Sequence, residues 1–433
     1  MHSGDITIET VTKIEGGATV EAKVENGQVK NLKFIIHDYR RFYTKAVVDK
    51  PFVAVPSFLS RICGTCSVSH LFAALKAIEN SQEIEVSEQT KILRQLAYDA
   101  LMIRDHTLHN YFFVLPDILG LDSILDIPEN HDDLGHQLLH DSFDIKQLGT
   151  DLSTAIIGAA IHAPLPTVGG FNKLPDESQF PALIDRLEKI REQVIRGVKV
   201  FYDWRADFKR NSDYIAIRGK NGFNFLEGNI TISNGKTYDP QHFRDFLETV
   251  VIPYSHSEGY KIKELNEDYL VGSLARLNLN LDQLHPRTKK DLKSFLNYFP
   301  SDNIYDQDLA QQVETLHCVD DAIDILKSLK IIPETPVKKA PQLGVGVGAV
   351  EAPRGTLYHK AEVNEQGIIS NYDVIVPTAQ NQINIENDLK QYFNDHIDKS
   401  EEELKFEAEK IIRCYDPCMS CATNFLKLKW IKK

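Results

Sequence analysis

Alternating side chains open the chain. Val20, Ala22 and Val24 are separated by Glu21, Lys23 and Glu25, the period of two that gives a strand one buried and one wet face. Asn26-Gly27 supplies a two-residue turn, and Val29 to Ile36 reads as the returning strand of a hairpin. After a loop rich in proline and aromatics (Pro51, Phe52, Pro56, Phe58), Leu71 to Ile78 reads as helical. A long helical pattern then runs from Ser87, a good N-cap, to Phe113, with Ile92, Leu96, Leu101 and Leu108 among its apolar positions. Further helices are predicted over 138–161, 181–208, 306–329 and 399–413, so the middle of the chain reads as mostly helical. In 181–208, Ile184, Leu187, Val194 and Val198 recur at spacings of three, seven and four, the stripe of a helix packed in a bundle. Between 331 and 348 the pattern breaks into proline and glycine punctuation, after which Leu357 to Val363 and Ile368 to Val376 read as a second hairpin. No internal repeat or low-complexity tract occurs.

These elements predict an α+β, predominantly helical fold, with a central bundle of long helices and small β lobes at the N-terminal and C-terminal parts. The expected segments are an N-terminal β lobe and loop over 1–60, a helical bundle over 61–330, and a hairpin lobe with a C-terminal helix over 331–433. At 433 residues the chain has material for two or three packed lobes, and 42% hydrophobic with 26% charged residues is ordinary for a globular protein. A net charge of −13 gives no electrostatic reason to bind nucleic acid or anionic lipid. No apolar run approaches the roughly 20 residues of a membrane span, and Met1 to Thr10 lacks a basic stretch followed by an apolar one, so a cytoplasmic protein is expected.

Six cysteines occur, four of them in Cys63-x-x-Cys66 and Cys418-x-x-Cys421 near opposite ends. Such spacing lets one short loop offer two sulfurs to one metal, so metal or redox chemistry outranks a disulfide framework. A zinc ribbon brings its second pair back within roughly 15–20 residues, whereas here nearly the whole chain intervenes and a shared site would staple its ends together. Thiolates suit zinc, iron-sulfur clusters, copper(I) and low-spin nickel or iron, so ligand type leaves the metal open.

Arg61-Ile62-Cys63-Gly64-x-Cys66-x-x-x-His70 resembles the N-terminal signature of nickel-iron hydrogenase large subunits, and Asp416-Pro417-Cys418-x-x-Cys421 resembles their C-terminal signature. Thr12-Lys-Ile-Glu15-Gly16, Asp105-His106-x-x-His109 and Glu351-Ala-Pro353-Arg354-Gly355 are also similar to family stretches, so the resemblance spans the chain. It implies a nickel-iron centre with cyanide and carbon monoxide on iron, with Cys66 and Cys421 as bridges and Cys63 and Cys418 as terminal nickel ligands. It implies reversible heterolytic cleavage of dihydrogen to protons and electrons. Arg354 would overhang the metals, oriented by Asp105 and Asp416, and Glu15 would be the first proton carrier. Because an arginine is a poor base, a terminal cysteine sulfur is the better direct acceptor. His70, Thr378 and Pro353 are implied around the cofactor, His70 facing a bridging sulfur and Thr378 a cyanide. Nothing in the chain resembles a ferredoxin segment, so an iron-sulfur small subunit, and further electron-transfer subunits, are implied as partners.

The chain departs from the family where a glutamate corresponds to Tyr43 in Arg40-Arg41-Phe42-Tyr43 and a histidine to Asn424, so a magnesium-type site there is expected to be absent or altered. With Asn424 in place of that histidine, cleavage of the tail after it is also in doubt, and Gly17 stands where a histidine commonly follows Glu15-Gly16. His131, His136 and His140 read as a solvated helical face beside Asp132, Asp133 and Asp141 rather than a metal site. Gly344-x-Gly346-x-Gly348 lacks the context of a nucleotide loop and reads as backbone crowding near the metal. Cys318 and Cys414 read as buried small hydrophobes.

Overall fold

The structure, a computed structural model, describes residues 4–39, 41–129, 133–209, 211–220, 222–263 and 268–423. The N-terminal pattern folds as read: Ala18–Glu25 and Gln28–Ile36 pair antiparallel, and Gly4–Ile8 adds a third strand on the other side of Ala18–Glu25. Val20, Ala22 and Val24 point into the core while Glu21, Lys23 and Glu25 are exposed.

The core is a helical bundle. Helix α1 is Ser67–Ser81, α2 Glu88–Thr107, α3 Leu134–Ile157, α4 Phe180–Trp204 and α5 Asp306–Ser328. Helix α2 packs on α3 and α5, and α4 packs on the same two. Local chemistry sets the ends. The Ser87 hydroxyl accepts from the Thr90 amide at the start of α2, and the helix runs on as a π turn over Leu108–Val114. Helix α3 begins earlier than the periodicity predicts because Asp133 caps it, and it ends at Gly158, whose φ of 86° closes the helix. Ile92, one of the apolar positions of the α2 pattern, is 38% exposed, whereas Leu96 and Leu101 are buried.

The segment between α4 and α5 departs from the helical reading. It holds a four-stranded sheet of Asp213–Arg218, Asn229–Ile232, Thr237–Tyr238 and Tyr269–Leu270, with Tyr269–Leu270 pairing parallel to Asp213–Arg218. Near the C-terminus the predicted hairpin gains a strand: Gly344–Ala352, Gly355–Val363 and Ile369–Ile375 form a three-stranded antiparallel sheet. The glycines of its first strand are indeed crowded, but against α1. A Cβ at Gly348 would lie 2.0 Å from the Ala73 carbonyl oxygen, and one at Gly344 1.9 Å from that of Ser81. Close approach of strand to helix, not of backbone to metal, explains the Gly-x-Gly-x-Gly run.

Two helices follow, α6 (Pro377–Asp395) and α7 (Glu401–Cys414). The latter starts at a reciprocal Ser400/Glu403 capping box. Among the described residues, no helix is long and apolar enough to cross a membrane.

Candidate metal centre

Short helical turns over Phe52–Ile62 lead to Cys63, and Cys66 sits at the N-cap of α1. From the other end, α7 finishes at Cys414, and Asp416 turns the chain with φ 48°, a left-handed conformation that aspartate tolerates. Cys418 then caps the short helix Met419–Ala422. The N-terminal segment locks this return: residue 15 bridges residue 418, and the Met419 amide donates to the Glu15 carbonyl at 2.8 Å.

All four sulfurs therefore converge. Their Sγ atoms lie within 4.8 Å of one another, with Cys66 to Cys421 and Cys418 to Cys421 at 3.1 Å and Cys63 to Cys418 at 3.5 Å. The four are buried and none is in a disulfide. Hydrogen bonds from Cys418, then Cys421 and Cys66, pull the Cys63 thiol well below its usual value, whereas burial pushes the Cys418 and Cys421 thiols well above theirs. A metal arriving here must displace protons, and the set rewards a cation that neutralises it.

Arg354 closes the roof. Its Nη1 is 3.2 Å from Asp105 Oδ1, and its Nη2 is 3.0 Å from Asp416 Oδ1 and 3.9 Å from Glu15 Oε2. Burial works against its charge, but Asp105, Asp416, Cys418 and Glu15 together hold it well above its ordinary value, so it stays protonated. Glu15 spans from arginine to sulfur: Oε1 is 3.2 Å from Cys63 Sγ, and Oε2 accepts from the Thr65 hydroxyl at 2.7 Å. Burial, and then the charge on Cys63, push its carboxyl up to about 7. On the opposite wall His70 Nε2 lies 3.6 Å from Cys421 Sγ, and the Thr378 hydroxyl accepts from the Cys418 amide at 2.9 Å.

A small cavity abuts the sulfurs, lined by Cys66, His70, Ala352, Arg354, Leu357, Pro377, Thr378, Cys418 and Cys421. Pro353 does not line it; its carbonyl accepts from Arg276 instead, at 2.9 Å. Arg276 also donates to the Ala352 carbonyl at 2.9 Å and pairs with Glu314 and Glu351, so a buried ion cluster pins the turn that carries Arg354. Two buried polar atoms at this roof, Arg354 Nε and Asp105 Oδ2, have no partner among the described residues. Four soft sulfurs under a cationic roof, beside an apolar wall tipped by one hydroxyl, fit a low-spin nickel-iron centre with small uncharged and anionic ligands.

Sequence reasoning missed Thr65, Arg276, His359, Ala352, Leu357 and Pro377; of these, Thr65 and Ala352 lie inside the motifs it quoted. Cys318 and Cys414 are fully buried outside the cluster, and Cys414 donates to Asp308 Oδ2 at 3.4 Å. The solvated-face reading of the histidines needs correction: His136 and Asp141 are buried, Asp141 because it pairs with Arg196 at 2.7 Å, and the His136 and His140 rings pack edge to face. His131 and Asp132 lie outside the described residues, as do Arg40, Asn424 and the tail that follows it. The Tyr43 hydroxyl donates to the Arg61 carbonyl at 2.8 Å. The His37 ring takes the space beside Gly17, where an added Cβ would meet it at 2.7 Å.

Residues 45–147 and 264–424, more than half of the chain, match the family model described as nickel-dependent hydrogenase. The chain is 27% identical over 434 residues to sulfhydrogenase 1 subunit alpha of Pyrococcus furiosus, covering 98% of each chain. It is 26% identical over 470 residues to the NAD-reducing hydrogenase HoxS subunit beta of Cupriavidus necator, covering 98% of this chain and 95% of that one. Among solved structures, an NAD+-reducing NiFe hydrogenase in its H2-reduced state superposes with a TM-score of 0.85 at 24% identity, covering 98% of this chain and 100% of the other. The reduced Ni-Fe-Se hydrogenase of D. vulgaris Hildenborough does so with 0.80 at 20% identity, covering 97% and 100%. At these identities the structural likeness is one of fold.

Proposed function

The chain belongs to the nickel-dependent hydrogenase family as a catalytic large subunit, and from that premise we propose that it cleaves dihydrogen reversibly and heterolytically to protons and electrons at a nickel-iron centre held by Cys63, Cys66, Cys418 and Cys421. The observation that carries this reading is the convergence of four buried sulfurs, from residues 355 apart, within 4.8 Å of one another beneath a protonated arginine. When bound, a nickel-iron centre with cyanide and carbon monoxide on iron supplies the site that polarises dihydrogen and withdraws its electrons.

The chain's own residues do the rest. Cys63, Cys66, Cys418 and Cys421 would hold that centre through their four sulfurs. Arg354 does not act as base, because Asp105 and Asp416 foremost, with Cys418 and Glu15, hold its proton; it presents positive charge to the cavity in a dry setting where that charge is little screened. Asp105 and Asp416 fix the plane of its guanidinium. A proton at the Cys63 sulfur has Glu15 Oε1 3.2 Å away as its next acceptor, and a carboxyl near 7 both takes and releases protons at neutral pH. The Thr65 hydroxyl keeps that carboxylate turned toward the sulfur. His70 gives a hydrogen bond to the Cys421 sulfur, and Thr378, which lines the cavity and accepts from the Cys418 amide, would offer its hydroxyl proton to a cyanide of the bound centre. Electrons leave to an iron-sulfur small subunit, a reading supported by the naming of the relatives as subunits alpha and beta of larger hydrogenases.

Exchange of deuterium gas with water protons, followed by mass spectrometry on the protein purified with its partners, tests the reading without any need for the natural electron acceptor. Exchange is expected in the unaltered protein and is abolished in Cys421→Ser; a protein loaded with nickel and iron that catalyses no exchange contradicts it.

A further inference from the structure

His70 does not end at the sulfur. While its Nε2 lies 3.6 Å from Cys421 Sγ, its Nδ1 lies 3.0 Å from Nε2 of His359, and Nδ1 of His359 lies 3.0 Å from the Tyr372 hydroxyl. These side chains come from three elements, α1 and the strands Gly355–Val363 and Ile369–Ile375, and each is at most 5% exposed. Their meeting follows from register. Tyr372 pairs with Ala361, two residues from His359, so both side chains stand on one face of the sheet as diagonal neighbours, and α1 packs against the same strand.

The chemistry at one end fixes every proton in this row. A metal-bound thiolate only accepts, so His70 must carry its proton on Nε2. Its Nδ1 must then accept from Nε2–H of His359, whose own Nδ1 accepts from the Tyr372 hydroxyl. Either ring with the opposite tautomer would set two acceptors or two donors face to face inside the core. Farther from the sulfur, burial draws His359 well below its usual value and lifts the Tyr372 phenol well above its own, so both stay neutral.

We propose that Tyr372 and His359 form a buried relay that sets the tautomer of His70 and thereby the strength of the hydrogen bond donated to the Cys421 sulfur. Neither residue lines the cavity, so both are positioning residues acting through His70. Hydrogen bonds in a row polarise one another, and donors behind a metal ligand tune its basicity. Removing the far donor weakens the near one, which leaves the sulfur a stronger electron donor to the metals. This inference rests on Cys421 being a thiolate ligand of a nickel-iron centre.

Infrared spectra of the purified holoenzyme separate the two levels of claim. Unaltered protein shows bands of iron-bound cyanide and carbon monoxide; their absence there would remove the nickel-iron reading itself. In Tyr372→Phe, which deletes one oxygen and keeps the ring, the carbon monoxide band moves to lower wavenumber, because a more electron-rich iron donates more into that ligand. His359→Leu moves it further in the same direction. Tyr358→Phe is the control: its hydroxyl is buried on the same sheet without a partner among the described residues, so its removal leaves the band in place. Bands present but unmoved in Tyr372→Phe, or moved equally in Tyr358→Phe, overturn the relay and leave the metal centre standing. A measurement that needs no substitution guards against failed assembly: nitrogen-15 spectra of histidine-labelled holoenzyme, in a diamagnetic state, place the proton of His70 and His359 on Nε2, and a proton on Nδ1 of either overturns the proposal.

Discussion

Two carboxylates hold Arg354 at Nη1 and Nη2, and a third lies behind them in another state. Asp308 is fully buried; its Oδ2 accepts from Cys414, while its Oδ1 has no hydrogen-bond partner among the described residues and lies 3.8 Å from His109 Nδ1. Burial pushes its carboxyl up to about 7, the His109 charge working against the shift and Asp416 and Asp117 with it. The folded value therefore lies above the unfolded one near 3.9, so the folded chain holds a proton that the unfolded chain has released. That contribution is fully present below about pH 4 and is lost as pH rises through about 7. Asp308→Asn keeps an acceptor for Cys414 and removes the titration. Its thermal stability is expected to decline less than that of the unaltered chain between about pH 5 and about pH 8, by on the order of 1–3 kcal/mol. Equal pH slopes in the two proteins would show that Asp308 is ionised throughout.

At the scale of elements, the decisive contact is that of strand Gly344–Ala352 with α1. The strand lies so close that Gly344, Gly346 and Gly348 each meet helix backbone where a Cβ would stand. Backbone cannot yield as a flexible side chain can. Gly348→Ala is expected to lower stability by about 3 kcal/mol or more, read as a drop in Tm, whereas Val345→Thr, at an exposed position of the same strand, stays within about 0.5 kcal/mol. A Gly348→Ala protein as stable as the original would mean that strand and helix are not in contact. The same contact marks how far the sequence could be read. Helices announced themselves where an apolar stripe and a cap agreed, as at Ser87. Helix α6 did not, because it buries polar side chains as brackets: Gln380 donates to the Thr356 carbonyl, Asn381 to that of Val271 and Gln382 to that of Phe34. The sheet between α4 and α5 escaped because its strands run from two to six residues, too short for a period to register. The four cysteines were legible from spacing, and Glu15, Arg354, Asp105 and Asp416 from motif resemblance. Arg276, His359 and Tyr372 were not, since only folding gives them their neighbours.

For the whole molecule, the two ends of the chain are held by one another. Thr12 donates from its amide and hydroxyl to Glu409, Arg413 donates to the Thr12 carbonyl, and Lys13 shares Asp117 with Arg413. This clasp carries Glu15 to Cys418 and so completes the site from both termini, with the bundle and the roof strand between them. Such an arrangement makes a four-thiolate site a property of the finished fold rather than of either cysteine motif alone. The most direct measurement of that claim is the nickel content of the chain purified with its partners. The account predicts nickel equimolar with the chain and lost from Cys421→Ser; zinc in its place, or a folded chain with no metal at the four sulfurs, would contradict it.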